Sequence, residues 1–522
     1  MSEKGNVTRA AGIVGSATLL SRIFGYLRDM VTAYFFGVGP VADAFIAAFR
    51  IPNMLRRLFA EGSLSISFVP VFTDTLKQEG KEEAFRMAGA ALRLLSVILA
   101  GVAVLGVLAS PWIVSAIATG FRADPVKFEL TVLLARIMFP YVICICLVAL
   151  CMGILNVLGH FAAPALAPVA LNLTMIASLF LGGFLTDDAH ARAQILACGV
   201  LVGGGVQLAM QVPALVKQGF SPFGLGPLWH PALRQVGRLM LPAVLGAAVY
   251  QVNIFVGTML ASLLEGGSIA ALFFADRIVQ FPLGVFAISL GTAVLPSLSR
   301  QMSDGDLKGV AETFSFGLRF TLFVTVPASV GLAVLREPIV DLLFSWGAFD
   351  ARGVSMTAEA LLYYAMGLWA VSCVRVTVPL YYAFKDTKTP VYVAVASIGV
   401  NIVLSLFLMR SMGHAGLALA VSASSVFNFL TLLTLLIRRG MVQLHGSVLG
   451  RSVARTLVAA ALMGGAVVAF FKGAGYLWPG FSPAVGALPG VVVGVLVYGG
   501  TVSVLKSPEC SAVVNLMKRR RG

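Results

Sequence analysis

Apolar runs of about 20 residues, each closed by a polar, Gly or Pro break, recur along the whole chain. They predict helices near 8–36, 41–73, 85–117, 129–158, 161–185, 191–217, 232–264, 268–298, 309–345, 354–384, 388–411, 414–438, 452–475 and 483–506. A helix satisfies its own backbone polar groups, which a bilayer cannot do for it. The pattern therefore predicts an all-α integral membrane protein with fourteen transmembrane helices. Several runs exceed one crossing, so tilt, kinks or extramembrane turns are expected. The first run does not read as a secretory leader, because Arg22, Arg28 and Asp29 lie in its middle and no short apolar stretch with a cleavage site is present.

The pattern repeats. A shift of roughly 226 to 229 residues brings Phe68-Val69-Pro70-Val71 onto Val294-Leu295-Pro296-Ser297 and Ala91-Leu92-Arg93 onto Gly317-Leu318-Arg319. Further along, Pro111 falls near Pro338, Gly120 near Gly347, and Asn172 on Asn401. Six helices, an even number, separate the copies, so both halves share one membrane orientation about an axis along the membrane normal. This predicts a six-helix lobe over 1–217, a second over 218–440, and an appendage of two helices with a basic tail over 441–522. The midline between such lobes is a natural substrate cavity.

Composition confirms the class. Hydrophobic residues make up 58% and charged residues only 12%, with a mean hydropathy of +0.92. The net charge of +15 is spread over short loops and the Lys518–Arg521 tail rather than one module, which argues against nucleic acid as a partner. With the N-terminus inside, about 21 Lys/Arg fall on the cytoplasmic side against about 6 outside, so both termini are expected in the cytoplasm. No loop is long enough to hold a soluble catalytic domain. The six cysteines and five histidines lack metal-ligand spacing, and no disulfide framework is expected. The glycines at 203–205 and 494–499 lack the context of a phosphate loop and are read as close helix packing.

The first two helices break the apolar rule. They carry Arg22, Arg28, Asp29, Asp43, Arg50, Arg56, Arg57 and Glu61 where lipid-facing residues belong. Charges at membrane depth normally face a polar cavity or a partner, and an excess of arginine there suits an anionic cargo such as a phosphate. In helix one, the pairs Ser21/Arg28 and Arg22/Asp29 are each seven apart and share a stripe. In helix two, Asp43, Arg50 and Arg57 repeat every seven residues beside Asn53 and Glu61, and Pro52 interrupts the backbone. Asp276-Arg277 is the counterpart in helix eight. The bland alternative is that these charges pair among themselves: Arg28 or Arg22 with Asp43, Arg57 with Glu61, Asp276 with a neighbouring Arg. For Arg93, Arg136, Arg319 and Arg375, snorkelling to headgroups or packing is the leading expectation.

The runs Ser21-Arg22-Ile23-Phe24-Gly25-Tyr26-Leu27-Arg28-Asp29, Asp43-Ala44-Phe45, Ile51-Pro52-Asn53-Met54-Leu55-Arg56-Arg57 and Phe68-Val69-Pro70 resemble the MurJ (MviN) family of bacterial lipid II flippases. Ala275-Asp276-Arg277, Phe281-Pro282 and Lys385-Asp386-Thr387-Lys388-Thr389-Pro390 extend the resemblance over the whole chain. It implies the fold of the multidrug/oligosaccharidyl-lipid/polysaccharide exporter superfamily, with a hydrophobic groove on the last two helices. It implies an undecaprenyl-diphosphate-linked peptidoglycan precursor as substrate, moved to the outer leaflet of the bacterial inner membrane for cell wall synthesis.

By the same match, Arg22, Arg28, Arg56 and Arg277 resemble the family's cavity arginines, with Asp29, Asp43, Asn53 and Glu61 as their polar company. No catalytic residue, metal site or cofactor is expected; the energy source would be the membrane potential or a coupling cation. A sodium site known in some members is not carried over, because Asn401 and scattered Ser/Thr lack a carboxylate set. Membrane lipids and the cell wall synthesis machinery complete the expected partners. Two other readings compete: a cation exporter of the same fold, which an arginine-rich cavity disfavours, and a membrane glycosyltransferase using Asp187 and Asp188.

Overall fold

The computed structural model describes residues 3–58, 63–222, 224, 226–284, 288–442, 446–478 and 480–512. It divides into two compact units, residues 1–270 with 346–349, and residues 271–345 with 350–522. The first unit is built from α1 (Glu3–Phe36), α2 (Pro40–Leu58), α3 (Ser65–Gln78), α4 (Lys81–Ile117), a 3-10 turn (Thr119–Ala123), α5 (Pro125–Met138), α6 (Tyr141–Val157), α7 (Ala162–Leu185), α8 (Ala189–Ala209), α9 (Val212–Lys217) and α10 (Leu233–Ser262). The second contains α12 (Ile288–Ser303), α13 (Leu307–Val334), α14 (Arg336–Phe344), α15 (Ala351–Ala383), α16 (Lys388–Arg438), α17 (Gly446–Leu477) and α18 (Pro483–Val504), and α11 (Ser268–Pro282) starts in the first unit and runs into the second.

The fourteen predicted runs are recovered as all-α structure, several of them in pieces. Runs four, six and nine are each split, into α5/α6, α8/α9 and α13/α14, while runs two and eight are described on either side of residues 59–62 and 285–287, as α2 and α3 and as α11 and α12. Runs eleven and twelve meet within α16 across Gly413, whose φ of 56° and ψ of −133° turn the chain. Proline accounts for the α5/α6 break, since Pro140 has no N–H to donate back to Arg136. Nine spans among the described residues are long and apolar enough to cross a membrane. The runs outside that set are α1, α2/α3, α10 and α11/α12, the first two of each predicted half. Polarity is therefore concentrated at repeat-related positions.

Helix starts are set by aspartates. Asp124, Asp188, Asp306 and Asp350 each accept backbone N–H bonds at the first turn of α5, α8, α13 and α15. Asp188 thereby has a structural task, which removes it from the acid/base role the glycosyltransferase reading gave it. Close packing uses glycine as expected: a Cβ on Gly204 would lie 2.6 Å from the Tyr141 ring, and one on Gly203 would lie 2.7 Å from Leu171.

Two repeat-related arginines hold loose segments rather than snorkelling. Arg93 of α4 donates to the carbonyls of Gly224 (2.7 Å) and Pro227 (2.9 and 3.0 Å), fixing the linker before α10. His230 in that linker lies 2.9 Å from Glu83, and its hydrogen bond holds the Glu83 carboxyl below the usual range. In the second unit Arg319 of α13 lies 3.4 Å from buried Glu509, which also accepts from Ser452 (3.0 Å) and Ser507 (2.7 Å). That carboxylate ties the chain beyond α18 to α13 and α17.

Within the first unit, Gly37 (φ 57°) follows α1 and meets the segment Trp346–Phe349, where Ala348 N–H donates to the Tyr34 carbonyl at 2.8 Å. A Cβ on Gly37 would lie 2.2 Å from the Ala348 oxygen, whereas one on Gly159 (φ 79°) would meet nothing within 4 Å. Both glycines are left-handed, so comparing Gly37→Ala with Gly159→Ala separates the contact from the backbone strain. Gly37→Ala is expected to cost about 1–3 kcal/mol more, the range of overpacking. The check is the order of melting temperatures in detergent.

Candidate substrate-binding site

On α1, Arg28 is half-buried and Asp29 buried. The Arg28 guanidinium bonds Asp29 Oδ1 through Nε (3.0 Å) and Nη2 (2.6 Å), and Asn172 Oδ1 on α7 through Nη1 (3.0 Å). Asn172 in turn donates to the Ser21 carbonyl at 3.3 Å. The two flanking residues therefore orient the fork without using all five of its N–H donors. An arginine steered this way keeps its plane fixed and retains capacity for a phosphate oxygen. Arg22, in the same helix, is exposed.

On α2, Asn53 Oδ1 accepts from Arg56 Nε at 2.9 Å, and both side chains are half-buried. They lie just past Pro52, where the backbone cannot donate to Ala48. Glu61 lies outside the described residues. Arg50 hydrogen bonds Thr258 of α10 through Nη1, which fastens the middle of α2 inside the first unit.

Asp43, at the other end of α2, has a different environment from its stripe-mates. It is 1% exposed. Lys127 Nζ lies 2.8 Å from Oδ2, Gly267 N–H donates to Oδ2 at 2.8 Å, and Ala270 N–H donates to Oδ1 at 2.9 Å. Lys127 also sits 4.0 Å from the centre of the Phe121 ring. Asp43 thus pairs with Lys127 rather than with Arg28 or Arg22, and its oxygens cap the first turn of α11. Lys127 was not legible as a site residue: it lies at the start of α5, 84 positions away, with no local signal of its partner.

In the second unit, Arg277 of α11 is half-buried, with its guanidinium 4.8 Å from the Phe273 ring centre and Nη1 3.5 Å from Gln280 Oε1. Gln280 also donates to Asp276. The Asp276 carboxylate is therefore engaged by an amide one turn on, a partner the charge-pairing expectation did not include. The structure thus gathers the predicted residues into local groups: Arg28 with Asp29, Asn53 with Arg56, and Arg277 beside Asp276 and Gln280.

A family model described as lipid II flippase MurJ matches residues 32–484. The chain belongs to the MurJ lipid II flippase family. Arg22, Arg28 and Asp29 lie ahead of the matched MurJ segment. A probable lipid II flippase MurJ from Rhizobium tropici is 39% identical over 456 residues, covering 87% of this chain and 85% of its own. The lipid II flippase MurJ of Burkholderia cenocepacia is 37% identical, covering 84% and 85%. Among solved structures, MurJ in an inward closed conformation superposes with a TM-score of 0.77 at 26% identity, over 94% of this chain and 98% of that one. An inward-facing multidrug MATE transporter gives 0.67 at 16% identity, over 82% and 98%, which shows a shared fold.

Lys127→Met would leave the buried Asp43 carboxylate with backbone donors alone. The expected loss is about 3–5 kcal/mol, typical of stripping one partner from a buried pair. It is read from thermal unfolding in detergent, with Lys127→Arg expected to recover part of it. Melting of Lys127→Met with the wild type would show that the pair is not structural.

Proposed function

We infer that this chain moves lipid II across the bacterial inner membrane, acting as a transporter rather than an enzyme. Membership of the MurJ family carries this reading, and the half-buried, oriented Arg28 and Arg56 support it chemically. The Lys/Arg bias of the loops supports a cytoplasmic N-terminus; the headgroup is taken from the cytoplasmic leaflet and released on the periplasmic side for cell wall synthesis.

The binding step follows from the site. A diphosphate leaving water must have its hydration replaced by donors, and guanidinium forks do this with charge-assisted, bidentate bonds. Arg28, Arg56 and Arg277 take that role, and Arg22 adds positive charge along the approach. Asp29 and Asn53 act as positioning residues, each holding an arginine by its Nε. Asp43 is assigned to holding α2, α5 and α11 rather than to the substrate. Rocking of repeat-related halves exposes the loaded site outward. The polyprenyl tail stays in lipid throughout, along α17 and α18.

An inside-negative potential drives such a cycle in both directions. Outward movement of net negative charge gains about 2.3 kcal/mol per charge per 100 mV. Return of the empty cationic site gains likewise, because positive charge is drawn inward. No separate cofactor enters this scheme, and the enzymes that polymerise the product are the partners it calls for.

The test is translocation of labelled lipid II in proteoliposomes with and without an imposed potential. Wild type is expected to flip the lipid faster with the inside negative. Arg28→Ala and Arg277→Ala at matched insertion are expected to lose most of the activity, on the order of 1.5–3 kcal/mol for each charged hydrogen-bond set. Indifference to the potential would remove the electrogenic step, and full activity in both variants would remove the arginine site.

A further inference from the structure

Arg136 does not behave like the other arginines of its unit. It lies seven residues into the apolar run 129–158, about 10 Å along the helix, a depth from which a long side chain leaning back toward the helix start reaches the headgroup level. It is exposed on the outer face of the helix and has no hydrogen bond or ion pair among the described residues. Glu129, two turns nearer the start of α5, is also exposed and has none. Both line a groove of about 270 Å³ between α4 and α5, whose walls are Pro111, Phe128, Val132 and Leu133. Trp112, beside Pro111, is 72% exposed on the same stretch of α4. Exposed tryptophan of this kind belongs to the headgroup level, so the groove opens there and deepens toward Arg136.

The repeat offers a comparison within the chain. Shifted by the roughly 226 to 229 residues that align the halves, Glu129 and Arg136 fall among Ser355–Ala358 and Leu362–Ala365 of α15, which hold no charge. The fold does not require the pair. A lone guanidinium at this depth is costly without an anion, and a lone carboxylate without a cation.

We propose that the α4–α5 groove binds a phospholipid with an ethanolamine headgroup, its phosphate on Arg136 and its ammonium on Glu129. Helix side chains lean toward the N-terminus, so both heads reach toward the surface at which α5 begins. The cation lies deeper and the carboxylate shallower, which is the order of phosphate and amine in such a lipid within the leaflet at that surface. The apolar walls between and below take the upper acyl chain. An ethanolamine N–H donates to Glu129; a choline headgroup has no such donor, and a glycerol headgroup brings no positive charge.

Purified full-length protein, delipidated in detergent, tests this by native mass spectrometry with phosphatidylethanolamine, phosphatidylglycerol and phosphatidylcholine of matched chains. Wild type is expected to retain the ethanolamine lipid about tenfold better than either competitor. Arg136→Gln should weaken retention of all three, because each carries the phosphate. Glu129→Gln should abolish the ethanolamine preference by raising retention of the glycerol lipid. Equal retention of the ethanolamine lipid by wild type and Arg136→Gln would overturn the proposal. So would a loss of lipid-free melting temperature that is the same in each single variant and the double, since that marks an intramolecular Glu129–Arg136 pair. Unchanged melting in all three supports it, because these exposed side chains then serve the lipid and not the fold.

Discussion

A bilayer interior offers no water to solvate a charge, so each ionised group in a span must find its counter-charge and donors within the protein or the lipid. Asp43 shows the constraint met in full. One carboxylate takes a lysine from α5 and two backbone N–H groups at the start of α11. The N–H groups there are the orphan donors of a helix N-terminus, and a carboxylate satisfies both their hydrogen bonds and the helix dipole. Lys127 is balanced in turn by the face of Phe121. The cluster is neutral overall, and it fixes one end of α2. The other end of α2 follows Pro52 and carries Asn53 and Arg56. Position is thus set by the locked end, and the proposed substrate contact lies at the end beyond Pro52.

The same rule explains why arginines of similar sequence context differ in task. Arg93 and Arg319 lie at equivalent places in the repeat, and each finds acceptors on a segment that would otherwise be loose: carbonyls of the linker for one, buried Glu509 for the other. Arg28 finds one carboxylate and one amide that orient it without consuming it. The acceptors within reach, rather than the arginine itself, decide between anchor and ligand. Both guanidiniums use three of their five N–H groups, so what separates them is the acceptor: the backbone of a linker for Arg93, a carboxylate of α1 and an amide of α7 for Arg28.

These differences mark the limit of what the chain discloses by itself. Helix positions were legible, because hydropathy and proline act over a few residues, and the break between α5 and α6 falls at Pro140, where a backbone donor is missing. The arginines of α1 and α2 were legible as a group for the same reason: charge in an apolar run is conspicuous. Partner choice was not. Arg28 and Asp43 were candidate partners, yet Asp43 bonds a lysine in α5 and Arg28 bonds Asn172 in α7, and neither pairing leaves a periodic trace. Asn172 was visible only as a repeat position. Glu509 lies beyond the last span, where nothing local distinguishes a buried carboxylate from a solvated one.

The repeat itself carries the last step. At a shift of about 227 residues, within the range that aligns the halves, Arg50 falls on Arg277. In α2 that arginine is bonded to Thr258 of α10 and so serves the packing of its own unit. In α11 its counterpart is steered by Phe273 and Gln280, which lie one turn before and one turn after it on the same helix. On the proposed reading, α2 instead offers Arg56, six residues on and past Pro52. The matched position thus carries an arginine in both halves, with different neighbours in each. A substrate with a charged end and a long apolar end has no internal symmetry, so a symmetric scaffold can hold it in one orientation only if equivalent positions cease to be equivalent.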